Sequence, residues 1–156
     1  MIEIDIPGLG FVRLEHLVSD FTGTLSVDGR LLSGVKELLY KLARVVKLHV
    51  LTADTFGTVK TACEGVECDL TVLSGEVIDI QKERYVRDLG AERVIAIGNG
   101  NNDRKMLAAA RIGIAVIEGE GCSVNALLSA EIAVRSVHEG LGLLLNPDRL
   151  KATLRI

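Results

Sequence analysis

Hydrophobic and polar positions along this chain follow two alternating rhythms. In IEIDI the apolar residues Ile2, Ile4 and Ile6 alternate with acids, which predicts a half-buried strand. Pro7-Gly8 predicts a turn, and FVRLEHLVSD has room for an edge strand followed by a buried strand ending at Asp20. After a turn at Asp28-Gly29 the spacing changes. Val35, Leu38, Leu39, Leu42 and Val45 or Val46 recur at helical intervals, with Ser33 placed to cap that helix. The alternation then continues. KLHVLT predicts a strand ending at Thr52, FGTVKTACEG a short helix and DLTVL a strand. A helix is expected from about Asp79 to Leu89, with Val86 and Leu89 facing inward, and RVIAIGNG reads as a buried strand. DRKMLAAA predicts a helix, IGIAVI a strand, NALLSA a short helix, EIAV a strand, and VHEGLGLLL a last helix before Pro147.

Strands alternating with helices at this spacing imply βαβ units and a parallel sheet covered on both faces. The central strands are near-continuous apolar runs, as burial on both faces requires. The expected fold class is α/β, a three-layer Rossmann-like arrangement with a mostly parallel sheet and an N-terminal β-hairpin. With 156 residues and no visible linker, repeat or low-complexity tract, residues 1–156 are expected to form one domain with a full core. Hydrophobic residues make up 48% and net charge is −3, so the basic footprint of a nucleic-acid binder is absent. No apolar run is long enough to span a bilayer and the start lacks a signal-peptide layout, so no membrane partner and a cytoplasmic location are expected. Cys63, Cys68 and Cys122 have no metal-ligand spacing and are expected as reduced, mostly buried thiols. His16, His49 and His138 are scattered singly, as packing or surface residues would be.

In open α/β sheets, ligands bind beyond the carboxyl ends of the strands. Here the apolar runs end in Asp20-Phe21-Thr22-Gly23-Thr24, in Thr52-Ala53-Asp54, and in Gly98-Asn99-Gly100-Asn101-Asn102-Asp103, with Lys82 on the helix before the last. Alone, Asp20 could be a turn acid. Together these residues suit phosphoryl transfer, which needs a nucleophile, positive charge and donors around the phosphate oxygens. Asp20 can serve as the nucleophile, Lys82 as the point charge, and the Gly23 turn with the Thr52 hydroxyl as phosphate donors. Asp20, the Thr22 carbonyl, Asn99 and Asp103 offer hard oxygen ligands suited to Mg²⁺.

SDFTGTL, LTAD, Lys82 and GNGNND resemble the four motifs of the haloacid dehalogenase-like phosphotransferases. The likeness is greatest to the phosphorylation domain of P-type ATPases, whose motifs read DKTGT, TGD, a lysine and GDGxND. It runs from Leu17 to about Val116 with the motifs in the family's order. The resemblance implies a Mg²⁺-dependent phosphohydrolase working through an aspartyl-phosphate on Asp20. Its substrate would be a small phosphate compound or a phosphorylated macromolecule. The short connections after Asp20 and after DLTVL imply that no cap domain is inserted, and capless relatives make a homo-oligomer, contacting through an exposed N-terminal hairpin, one expectation.

Three departures from the family pattern shape the expected activity. Thr22 stands where most phosphatases of the family carry a general acid–base aspartate, and general acid–base help is worth ~10²–10⁴-fold. Slow turnover, or selectivity for activated esters and anhydrides, follows. Asn99 replaces a metal-binding aspartate, which predicts weak Mg²⁺ binding, and Phe21 replaces the ATPase lysine. Asp54 matches the ATPase motif and reads equally well as a loop acid. The rival reading is an attenuated regulatory module that holds phosphate or a stable phospho-Asp20. A response-regulator-like receiver fits less well, because no acidic pair precedes Asp20.

Overall fold

The alternation along the N-terminal strand has a direct structural consequence. In the computed structural model, which describes residues 1–53 and 57–156, Ile2, Ile4 and Ile6 of β1 (Ile2–Ile6) all turn inward. β2 (Gly10–Leu14) pairs antiparallel with β1 and adds Val12 and Leu14 to the same buried face. The hairpin's apolar face is therefore already covered within the chain and joins the main core. Its other face, with Glu3, Asp5 and Phe11, is exposed.

β3 (His16–Asp20) begins the central sheet. The hairpin β4 (Ser26–Val27) and β5 (Arg30–Leu31) follows, turning through Asp28 and Gly29, both at positive φ. That is the backbone a two-residue hairpin loop demands, and Asp-Gly is among the few pairs that supply it. α1 (Val35–Ala43), β6 (Lys47–Thr52), α2 (Thr58–Ala62), β7 (Cys68–Val72), α3 (Ile78–Asp88) and β8 (Val94–Gly98) come next. The chain closes with α4 (Arg104–Ala109), β9 (Ile112–Val116), α5 (Val124–Leu128), β10 (Ile132–Val134), α6 (Val137–Leu145) and α7 (Pro147–Leu154).

Six strands form one sheet in the order β10-β9-β8-β3-β6-β7, every pairing parallel. Side chains alternate between its faces. Ile95 and Ile97 of β8 join the larger core, while Val94 and Ala96 join the smaller one with Val86, Met106 and Leu107. Full burial of such a side chain is worth roughly 1.5–3 kcal/mol. Helices therefore cover both faces, the three-layer α/β arrangement expected from the pattern.

Two local expectations fail. α1 is preceded by Gly34 at φ 82 with no side-chain cap, so Ser33 does not cap it. Ser33 instead accepts a hydrogen bond at its carbonyl from His138 Nε2, 2.6 Å away, tying α1 to α6. The chain also does not stop its helices at Pro147. Proline has no N–H to lose at a first helical position, and Pro147 opens α7. The thiols are less enclosed than expected: Cys63 is buried but Cys68 and Cys122 are half-buried, and all three are free.

Candidate active site

From β3 the chain crosses to β6 and β7 on one side, then returns to β8, β9 and β10 on the other. The reversal places a crevice between the carboxyl ends of β3 and β8, where ligands of open α/β sheets bind. Asp20 ends β3, and the turn Asn99–Asp103 follows β8. A cavity of about 880 Å³ opens there, lined by Asp20, Thr22, Ala53, Asn99 and Glu120 among others. A smaller cavity of about 450 Å³, lined by Lys47 and Cys68 among others, touches none of these groups.

Lys82 projects from α3 into the floor of this crevice and is fully buried. Its Nζ lies 2.7 Å from Asp20 Oδ1 and 2.6 Å from Asp103 Oδ1. The second Asp103 oxygen accepts from the backbone N–H groups of Asn99 at 3.0 Å and Gly100 at 2.8 Å. Both oxygens of Asp103 are thus engaged, one orienting the lysine and the other closing the turn after β8. Gly98 makes room for this, since a Cβ there would lie 2.6 Å from Asp103 Cγ.

Two carboxylates share a single ammonium, so the ionised cluster holds an unbalanced negative charge out of water. Burial, and then the neighbouring Asp103, push the Asp20 carboxyl up from 3.8 to about 7, against the opposing pull of Lys82. Burial draws the Lys82 ammonium down, but the two carboxylates outweigh it and the net direction is upward.

The Thr24 hydroxyl lies 3.2 Å from Asp20 Oδ2 and 3.0 Å from Asn99 Oδ1. Asn99 is oriented by its Nδ2, which donates to Gly121 O at 3.0 Å. One hydroxyl hydrogen cannot serve two acceptors, so two oxygens converge where donors are scarce. Asp20 and Asn99 are oxygen donors of the kind that could hold a hard cation there, while Asp103, expected as a further ligand, has both oxygens engaged. Among the described residues no cluster of three His, Cys, Asp or Glu side chains forms a ready-made cage.

The other expected site residues fall as follows. Thr22 is exposed and lines the cavity. Thr52 is buried at the end of β6, one position beyond the partner of Asp20. Asp54 lies outside the described residues. Phe21 points away from the cavity into the larger core, which accounts for an apolar residue at that position. The N–H groups of Thr24, Leu25 and Ser26 all donate to Phe21 O, so of the Gly23 turn only the first amides are candidates for holding phosphate. Outside that set, Arg104 and Lys105 lie 2.9 and 3.0 Å from Asp79. Two residues escaped the sequence reading. Thr24 sits within the Asp20 motif, and its hydroxyl was the available signal. Glu120 belongs to the loop after β9 and carries no motif.

The model of the haloacid dehalogenase-like hydrolase family matches residues 80–121 of the chain, a segment that includes Lys82, Asn99 and Asp103. An uncharacterised protein of Methanocaldococcus jannaschii is 50% identical over 80 residues, covering 49% of this chain and 86% of that protein. A protein of Archaeoglobus fulgidus named as a probable copper-exporting P-type ATPase is 31% identical over 105 residues, or 66% of this chain. The match spans only 13% of that ATPase. Among solved structures, the 3-deoxy-D-manno-octulosonate 8-phosphate phosphatase of Moraxella catarrhalis, in complex with magnesium, phosphate and the sugar acid, superposes with a TM-score of 0.66. It is 18% identical and is matched over 91% of this chain and 94% of its own. With its motifs gathered at one switch point of a six-stranded parallel sheet, the chain has the fold of haloacid dehalogenase-like phosphatases and matches the model of that hydrolase family over residues 80–121.

Proposed function

We propose that the chain is a Mg²⁺-dependent phosphohydrolase that forms an aspartyl-phosphate on Asp20. The observation that carries this reading is the fully buried Lys82, held within 2.7 Å of the Asp20 carboxylate on the floor of the cavity. A buried ammonium there neutralises a transferring phosphoryl group without reorganising at the moment of reaction.

In the first step Asp20 Oδ2 attacks phosphorus, the bond to the leaving oxygen breaks, and the acyl-phosphate forms. Lys82 keeps Oδ1 and steadies charge on the phosphoryl oxygens, while Asp103 holds Lys82 in place. Thr52 and the first amides of the Gly23 turn donate to those oxygens. Mg²⁺, when bound, supplies further neutralisation of that charge and favours the ionised form of Asp20. In the second step water attacks phosphorus and frees Asp20. Thr22 has no ionisable group, so departure of a poor leaving group and activation of that water receive little proton transfer from this position.

Hydrolysis of an aryl phosphate and of alkyl phosphates by the wild type, Asp20→Asn and Thr22→Asp tests the proposal. Asp20→Asn is expected to abolish turnover and the phosphoryl mass adduct. Thr22→Asp is expected to raise turnover of alkyl phosphates selectively, within the ~10²–10⁴-fold range of acid–base help. An active Asp20→Asn variant refutes the nucleophile assignment. Thr22 and Asn99 together favour a second reading, a module that holds phosphate or a stable phospho-Asp20 to switch a partner. Measurable turnover across a phosphate panel decides for the enzyme, and a long-lived adduct without turnover decides for the module.

A further inference from the structure

The mouth of the active-site cavity has a charge pattern that the motifs do not use. Asp28, at the tip of the β4–β5 hairpin, and Glu120, on the loop after β9, both line it. They are joined across the opening, with the Asp28 N–H donating to Glu120 Oε1 at 2.8 Å. The second oxygen of Glu120 is turned toward Gly23, where an added Cβ would lie 2.9 Å from it. Val27 packs beside Gly119, 3.1 Å from a Cβ built there, so the hairpin and the loop hold one another.

No basic side chain lines the cavity among the described residues. Neither Asp28 nor Glu120 makes an ion pair with any of them. Arg104 and Lys105 of α4 are held by Asp79, and Lys82 is sealed in the floor. A phosphoryl group seated at Asp20 must direct its leaving group toward this mouth. There it meets two carboxylates with no compensating cation, which attract positive charge and repel negative charge.

Resting on the phosphohydrolase reading, we propose that Glu120 and Asp28 select the leaving group by charge, and that the substrate is a phosphate monoester bearing an ammonium group. A leaving group carrying a carboxylate or further phosphates is disfavoured at the same place. A cavity of about 880 Å³ has room for a small organic group beyond the phosphate.

The test uses the full chain with Mg²⁺ and three esters of similar size: phosphoethanolamine, glycerol phosphate and phosphoglycolate. The expected order of kcat/KM is ammonium over neutral over carboxylate, with a span of about tenfold or more that shrinks as salt is raised. Glu120→Gln with Asp28→Asn should bring the ammonium-to-carboxylate ratio toward one. Calorimetric binding of the same esters to Asp20→Asn reads the order without chemistry. Equal affinities and rates, a preference for the carboxylate ester, or a ratio untouched by the double variant would overturn the proposal. If the wild type hydrolyses an aryl phosphate but none of the three, the phosphohydrolase reading stands and the calorimetric order decides the charge selection. If it hydrolyses no phosphate ester at all, that reading fails separately and the calorimetric order still decides.

Discussion

Replacing Asp20, the proposed nucleophile, with asparagine should make the metal-free protein more stable. In the fold Asp20 titrates at about 7 against an ordinary value of 3.8, because its carboxylate is buried beside Asp103. At ~1.4 kcal/mol per pH unit, the ionised form is disfavoured by roughly 4 kcal/mol relative to the unfolded chain. An asparagine removes that charge but leaves Lys82 with only Asp103, so the expected net gain is about 2 kcal/mol. For a chain of this size that raises Tm by roughly 4–8 °C.

The direction with pH follows from linkage. An acid whose folded pKa is raised favours folding fully below the unfolded value. That contribution is lost as pH rises through the folded value. The stability gap between Asp20→Asn and wild type should therefore widen from about pH 4 to about pH 7 and then level off. The difference matters more than the wild-type curve. His49, buried and pushed down to about 4, adds a slope of opposite sign over nearly the same range. Urea titrations of both proteins in a chelator, from mildly acidic buffer to about pH 8, read the gap directly. Added Mg²⁺ should narrow it by stabilising only the wild type. A variant no more stable than wild type near pH 8, or a gap independent of pH, would refute the reasoning.

Lys82→Met leaves two buried carboxylates facing each other without a counter-charge, and should cost about 3–5 kcal/mol at neutral pH by urea titration. The loss should shrink in acid as Asp20 takes up a proton. Gly98→Ala places a Cβ 2.6 Å from Asp103 Cγ. It should displace the carboxylate that orients Lys82, lowering kcat by about 10²-fold with an unchanged circular dichroism spectrum. His49 lies 3.0 Å from both His16 Nδ1 and the Tyr85 hydroxyl, and burial keeps it neutral. Its contribution is intact above 6.5 and is lost as pH falls toward 4. His49→Gln should therefore remove roughly 3 kcal/mol of acid sensitivity in thermal melts across that range.

The order of strands and helices was legible because each rhythm is local. A period of two in IEIDI and a period near 3.6 in VKELLYKLA report which side of each element meets the core, whatever the partners are. The placement of Asp20 and the 99–103 turn was legible for a related reason, since buried parallel strands expose polar residues only at their ends. Caps and exposure were less legible. Ser33 satisfies the usual rule for a helix start, yet Gly34 adopts the left-handed conformation there and the Ser33 carbonyl goes to His138. Pro147 looked like a stop and is a helix start, because the missing N–H that bars proline from a helix interior costs nothing at a first helical position.

By itself, then, the sequence determined the α/β alternation, the buried sheet and the set of residues able to reach its carboxyl edge. The tertiary structure alone decided what they do to one another. Lys82 meets Asp20 across 62 residues and Asp103 across 21. Thr24 meets Asn99 across 75. Glu120 closes on Asp28 across 92. No local period encodes such pairings, because they depend on which strands lie side by side. The same juxtaposition strips water from three charges at once, and that desolvation, invisible in the string of residues, moves Asp20 to a titration point near neutrality.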